Sequence, residues 1–289
     1  MAADISQSKT PAARSEADET ASAPALFPEG LKHLRYVERD GVGMITIDRP
    51  EVHNAIGLPT MAELERVLDW VESSSEVAAI VMTAAGHRTF VAGGDLKAFE
   101  QLTTHEAAAA MSRQMQRLMG RLAGLPVPVI GAINGDSLGG GCEVALACDI
   151  RIVSETAHFG FKQVTIGITP AWGGRRRLVR LIGRARALRL LLTGELIDAA
   201  EALRIGLADR VVAPAEVIPA ALELAAQIAR NPRLAVRAIK RAVDECEHLE
   251  GERAIAFEAD LFARTWMTED HWEALAARKE GRAPNFRGR

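Results

Sequence analysis

Apolar and polar positions divide the chain into short elements from about Leu31 onward. Tyr36-Val37-Glu38-Arg39 and Met44-Ile45-Thr46-Ile47 flank Asp40-Gly41, the pattern of two strands joined by a tight turn. Arg49-Pro50 ends the second strand. Thr60 followed by Glu63 has the spacing of a capping box, and Met61, Leu64, Leu68 and Val71 share one helical face. Ala79 to Thr83 reads as a short buried strand, and Ala84 to Gly94 as a loop. Thr103 with Glu106 opens a long Ala- and Met-rich helix to about Leu122, stopped by Gly124 and Pro126.

A further strand, Val129 to Ile133, leads into Asn134-Gly135-Asp136-Ser137-Leu138-Gly139-Gly140-Gly141-Cys142-Glu143. The small and aliphatic residues after it predict a buried helix. Asp149 to Val153 is another strand, and Ile168 to Gly174 a loop. Helices are predicted over Arg175 to Leu192, and over Ala199 to Ile205 behind an Asp198/Glu201 cap. Val211-Val212 is a last short strand, and beyond Pro214 the pattern is helical to about Arg278. The expectation is a mixed α/β body over residues 29–213 and a helical section over residues 214–289.

Composition narrows the function. At 289 residues and a net charge of −3, the chain offers no electrostatic case for nucleic acid. Arg175-Arg176-Arg177 is a local basic run, read first as a solvated helix face and second as a phosphate contact. Cys142, Cys148 and Cys246 share no metal-ligand or redox spacing, and an odd count suits a reducing, cytoplasmic setting. No apolar run reaches membrane-spanning length. Residues 1–28 are rich in Ala, Ser, Thr and Pro, lack the apolar core of a signal peptide, and are expected to form a disordered tail.

The glycines carry the chemistry. Three in a row at a strand-to-helix junction let backbone N–H groups approach a ligand with no side chain between. Two chemical readings compete there, beside a bland tight turn. Gly135-Asp136-Ser137-Leu138-Gly139 matches the nucleophile elbow, with Asp244 and His271 in the right order to complete a triad. Alternatively, the Gly140 N–H is half of an oxyanion hole and Glu143 transfers protons. Phe90-Val91-Ala92-Gly93-Gly94-Asp95-Leu96-Lys97 repeats the strand, glycine turn and helix start. Two such junctions can offer the amides of Gly94 and Gly140 to one oxygen, whereas the upstream His-Gly-Gly-Gly loop of a serine hydrolase is missing.

Taken with Arg49-Pro50-Glu51-Val52-His53-Asn54-Ala55, Asn134 to Asp149, Phe159-Gly160, Leu192-Thr193-Gly194-Glu195 to Gly206-Leu207 and Asn285-Phe286, the chain resembles the crotonase, or enoyl-CoA hydratase/isomerase, superfamily from about Val42 to Phe286. The resemblance implies a spiral of ββα units with a helical C-terminal trimerisation region, and a homotrimer or homohexamer. It implies an acyl-CoA substrate, coenzyme A being part of the substrate and no separate cofactor or metal being required. The thioester oxygen is expected between the amides of Gly94 and Gly140. The backbone from Ala92 through Asp95, Leu96 and Lys97 is expected to line the adenine and pantetheine channel. Ser137 falls where the family has no nucleophile.

One position departs from the family pattern. Of the two glutamates of typical hydratases, one matches Glu143, but the Phe-Gly-x-x-Glu segment here ends in Gln163. An amide can orient water but neither takes nor releases a proton usefully. Trp172, in Thr169-Pro170-Ala171-Trp172-Gly173-Gly174, replaces a residue that is commonly small, as a packing or pocket-lining side chain. Four readings follow. The first is hydration of a 2-enoyl-CoA, as in fatty acid metabolism, using Glu143 with Gln163 orienting the water. The others are enoyl-CoA isomerisation with Glu143 alone, decarboxylation of a malonyl-CoA-type thioester, and a non-catalytic acyl-CoA binder or assembly subunit.

Overall fold

The computed structural model describes residues 25–26, 30–246 and 248–289. Its strands, in chain order, are β1 (Ala25–Leu26), β2 (Leu34–Arg39), β3 (Val42–Ile47), β4 (Ala79–Ala84), β5 (Thr89–Val91) and β6 (Val129–Ile133). They continue as β7 (Asp136–Leu138), β8 (Ile150–Ser154), β9 (His158–Gly160), β10 (Leu196–Asp198) and β11 (Arg210–Val212). The helices are α1 (Leu58–Ser73), α2 (Leu96–Phe99), α3 (His105–Ala123), α4 (Gly140–Ala145), α5 (Gly174–Ile182) and α6 (Arg184–Thr193). After them come α7 (Ala199–Ile205), α8 (Val217–Ala229), α9 (Arg233–Glu245), α10 (Gly251–Trp266) and α11 (Glu269–Glu280).

The strands form two sheets, ordered β1-β2-β3-β4-β6-β8-β11 and β10-β9-β7-β5. Successive strands alternate between them: β4 then β5, β6 then β7, β8 then β9. Each turn of the chain lays one strand in each sheet before its helices, which is the expected spiral of ββα units. Pairing along the spiral is parallel, β4 with β6 and β6 with β8 in the larger sheet, β5 with β7 and β7 with β9 in the smaller. Parallel strands covered on both faces read as unbroken apolar runs. On β4 and β6, Ala79, Val81, Ile130 and Ala132 face Val217, Ala220, Ala221 and Ala225 of α8. Ile80, Met82, Val129 and Ile133 face the main core instead. Although α8 lies beyond the expected boundary at residue 214, it covers the large sheet.

Local expectations fail in four places. Thr60 and Glu63 do not form a capping box, because α1 starts earlier, at Leu58 behind Gly57. Glu63 instead accepts the amides of Lys32, His33 and Leu34 at 2.8–3.0 Å, and the Thr60 hydroxyl pairs with His33 Nδ1 at 2.9 Å. Helix α3 is capped one residue later than expected, by Thr104 accepting from the Ala107 amide at 3.1 Å. The helical stretch expected over Arg175 to Leu192, with no break placed in it, is divided at Gly183, whose φ is +80°. The loop from Ala84 to Gly94 contains β5. By contrast, Asp198 caps α7 through the Glu201 amide at 2.8 Å, as the sequence predicts. Within the expected N-terminal tail, Ala25–Leu26 pairs antiparallel with Val37 and Glu38, and the rest of that stretch lies outside the described residues.

Candidate active site

The two glycine turns leave the same end of adjacent parallel strands. Strands β5 and β7 pair through Thr89 with Asp136 and Val91 with Ser137, so the segments after them emerge side by side. The chain ends of parallel strands are where α/β sheets bind ligands. The turns touch backbone to backbone. A Cβ on Gly93, whose φ is +105°, would stand 3.0 Å from the Leu138 carbonyl and 3.1 Å from the Gly140 nitrogen. A Cβ on Gly141 would overlap the Val91 carbonyl. Among the described residues, the Gly94 and Gly140 amides donate to no backbone carbonyl.

The Arg49–Ala55 segment buttresses the first turn. Ile56 N–H donates to Gly93 at 2.8 Å, and Asp95 N–H to Ile56 at 3.0 Å. His53 and Asn54 take left-handed backbone conformations, φ 55° and 56°. The Asn54 side-chain amide can then donate to the carbonyls of Ala85 (2.9 Å) and Thr89 (2.8 Å). Asp95 pairs with Arg49 at 3.0 Å and caps α2 through the Ala98 amide at 3.2 Å. Burial opposes ionisation of Asp95, but the Ala98 amide and the Arg49 guanidinium outweigh it and hold the carboxyl below the usual range.

Glu143 lies in the first turn of α4 and is 1 % exposed. Its Oε1 accepts the amides of Trp172 and Gly174, both at 2.9 Å. Its Oε2 accepts the Ala171 amide at 3.3 Å and Gln163 Nε2 at 3.1 Å. Burial pushes the Glu143 carboxyl up, and the amides of Gly174, Trp172 and Ala171, with Gln163, oppose that rise. Gln163, 7 % exposed, stands in the 3₁₀ turn Lys162–Ile166 behind β9. With its nitrogen committed to Glu143, its Oε1 is buried without a hydrogen-bond partner.

A cavity of about 220 Å³ joins these groups, bordered by Ala92, Gly94, Gly140, Glu143, Gln163, Trp172 and Leu96. Sequence reasoning missed Phe99, Met111, Ile166, Ile168 and Thr169, which also form part of its wall. Of these, Phe99 follows Asp95 by one helical turn, and Ile166 and Ile168 flank Gly167 shortly after Gln163, so a signal existed. The side chains of Asp95 and Lys97 stand outside the cavity lining, the first turned to Arg49 and the second exposed.

The competing triad does not assemble around Ser137. That residue is fully buried in β7, and its hydroxyl has no hydrogen-bond partner, so no base reaches it. His271 stacks on Trp266 with ring centroids 4.4 Å apart, in the C-terminal helices. The basic run divides: Arg175 and Arg176 are exposed, while Arg177 donates to the carbonyls of Met119 (3.0 Å) and Gly173 (3.4 Å).

A family model for enoyl-CoA hydratase/isomerase matches residues 38–289. The short-chain-enoyl-CoA hydratase of Clostridium acetobutylicum is 41% identical over 242 residues, 83% of this chain and 92% of that protein. The crotonyl-CoA hydratase of Syntrophomonas wolfei is 38% identical over 251 residues, 86% of this chain and 95% of that one. The crystal structure of an enoyl-CoA hydratase from Bacillus anthracis superposes with a TM-score of 0.85 at 34% identity, covering 89% of this chain and 100% of that chain. The spiral fold, the paired glycine turns and these likenesses agree: the chain is an enzyme of the enoyl-CoA hydratase/isomerase family.

Proposed function

We propose that the enzyme adds water across the double bond of a short 2-enoyl-CoA. The observation that carries this reading is the orientation of Gln163. Its nitrogen is held by Glu143 at 3.1 Å, which leaves a buried carbonyl oxygen on the cavity wall in need of a donor. A water molecule supplies that donor and can give its other hydrogen to Glu143 Oε2, the oxygen with the longer bonds.

The steps follow from the groups present. The thioester oxygen lies between the amides of Gly94 and Gly140, where charge develops as water attacks the β-carbon. Glu143 takes a proton from that water as the C–O bond forms and the electron pair moves onto the thioester oxygen. The enolate then collapses, and its α-carbon takes the proton back from Glu143. One carboxylate must do both transfers, because the Gln163 amide does neither. Burial, by raising the Glu143 carboxyl, makes its carboxylate a stronger base for taking the proton from water. No cofactor takes part, coenzyme A being part of the substrate. The cavity, below the 300–1,000 Å³ or so usual for ligand sites, favours a short acyl group. The names of the two relatives point the same way.

The single proton carrier also favours a second reading, isomerisation, in which Glu143 moves a proton between the α- and γ-carbons. Decarboxylation is less favoured, since the substrate carboxylate would face that of Glu143. Mass spectrometry of products from 2-enoyl-, 3-enoyl- and malonyl-type CoA thioesters separates the three. A folded protein that binds acyl-CoA and turns none over would be the non-catalytic binder.

Assembly as a homotrimer or a pair of trimers, in the cytoplasm, belongs to the same proposal. Helix α10 leaves Ile255, Phe262 and Trp266 exposed, an apolar face suited to a second copy. No helix among the described residues is long and apolar enough to cross a membrane.

A further inference from the structure

Trp172 is 4 % exposed, and its indole lies across both glycine turns. A Cβ on Gly140 would overlap the benzo half of the ring, and one on Gly94 would stand 3.5 Å from its Cζ2. The peptide groups on either side of it are held. The amides of Ala171, Trp172 and Gly174 are on Glu143, and the Ala171 carbonyl accepts the Ser112 hydroxyl at 2.8 Å. The Gly173 carbonyl accepts from Arg177. Gly174 itself has room for no side chain, because a Cβ would come within 2.6 Å of Glu143 Cγ. These bonds fix the backbone that carries Trp172, and the buried ring itself is packed against Gly140 and Gly94.

From this cradle we propose that Trp172 is a fixed wall that excludes branching at the α-carbon of the acyl group. The inference rests on the proposed seat of the thioester oxygen between Gly94 and Gly140. An oxygen bonded to both amides brings its carbonyl carbon, and the α-carbon one bond further, against the ring that overhangs both glycines. A flat, trigonal α-carbon lies along the indole face, as aromatic surfaces favour. A tetrahedral α-carbon carrying an extra methyl drives that methyl into a wall that does not yield.

The test uses saturated isomers, which bind without turnover. Butyryl-CoA and isobutyryl-CoA are titrated calorimetrically into the full-length wild type, Trp172→Ala and Trp172→Phe, with thermal melts confirming folding. The wild type is expected to hold butyryl-CoA about 10- to 200-fold tighter, the usual worth of one misplaced carbon in an apolar pocket. Trp172→Ala should bring the two affinities together, chiefly by gaining isobutyryl-CoA. If that variant does not fold, Trp172→Phe carries the test with an intermediate ratio. Equal affinities in the wild type, or an unchanged ratio in a folded variant, overturn the proposal. Crotonyl-CoA given to the same samples separates the two readings. Isomer preference without hydration refutes the hydratase assignment and leaves the wall standing. Hydration without isomer preference refutes the wall alone.

Discussion

The side-chain amide of Gln163 donates to Glu143 Oε2 at 3.1 Å, where a typical hydratase of this family places a second carboxylate. Gln163→Glu would set two carboxylates in that contact, and one proton would have to be shared between them. Hydration of crotonyl-CoA by this variant is expected to rise, by up to the 10²- to 10⁴-fold or so that one acid/base group contributes. Isomerisation by Glu143 alone should change little, and decarboxylation should fall. If the variant folds, binds acyl-CoA and hydrates no faster, the missing carboxylate is not what limits the rate.

Burial raises the Glu143 carboxyl against the pull of the amides of Gly174, Trp172 and Ala171 and of Gln163. A base must be ionised, so kcat/KM should climb with pH along a limb lying above the ordinary glutamate value of about 4.3. Stability moves the other way. The folded chain keeps this proton to higher pH than the unfolded one, so its contribution is complete below the unfolded value and is lost as pH rises through the folded value. Glu143→Gln should flatten that stability slope and cut turnover about 10²- to 10⁴-fold. Denaturant midpoints that rise through this window would show that the hydrogen bonds, and not burial, dominate.

Gly140→Ala drives a methyl group into the indole of Trp172. Overpacking of this kind costs about 1–3 kcal/mol. The double variant with Trp172→Ala should be less destabilised than the two single changes summed, and a double-mutant cycle by urea unfolding measures the difference. Additive effects would mean that the ring yields to the methyl.

Glu63→Ala removes the acceptor for three successive amides, those of Lys32, His33 and Leu34, of which the last is buried. The expected loss is about 1–3 kcal/mol for each amide that water cannot reach. Thr60→Ala should cost less, because Thr60 does not cap α1. The reverse order in chemical denaturation would restore the capping box.

That pair shows how far local pattern carries. Thr60 and Glu63 have the right spacing for a cap, yet the partners of Glu63 lie 29–31 residues away, and no window of sequence contains them. The large sheet was legible because its strands of five or six residues, such as β4 and β6, are covered on both faces and stay apolar throughout. The small sheet was not. Its strands have three residues each, and β7 and β9 adjoin or contain glycine, too short a stretch to show a period. At the candidate site, Gly94, Gly140 and Glu143 announced themselves through two similar motifs. The hydrogen bonds from Ala171, Trp172 and Gly174 to Glu143 join residues 28–31 apart, and only the fold reveals them. The partnerless oxygen of Gln163 was equally hidden, since a sequence does not say which end of an amide is occupied.

The contact between Gly141 and the Val91 carbonyl leaves no layer of side chains between the two glycine turns. Their separation is therefore a property of the chain's main-chain path, beyond the reach of ordinary substitution, like a caliper locked at one opening. Anyone wishing to turn this scaffold to another acyl-CoA reaction has to leave residues 91–94 and 139–141 alone. The adjustable parts are the side chains that border the cavity from elsewhere, Gln163, Trp172, Met111 and Ile166 among them, and these can be exchanged without resetting the gap.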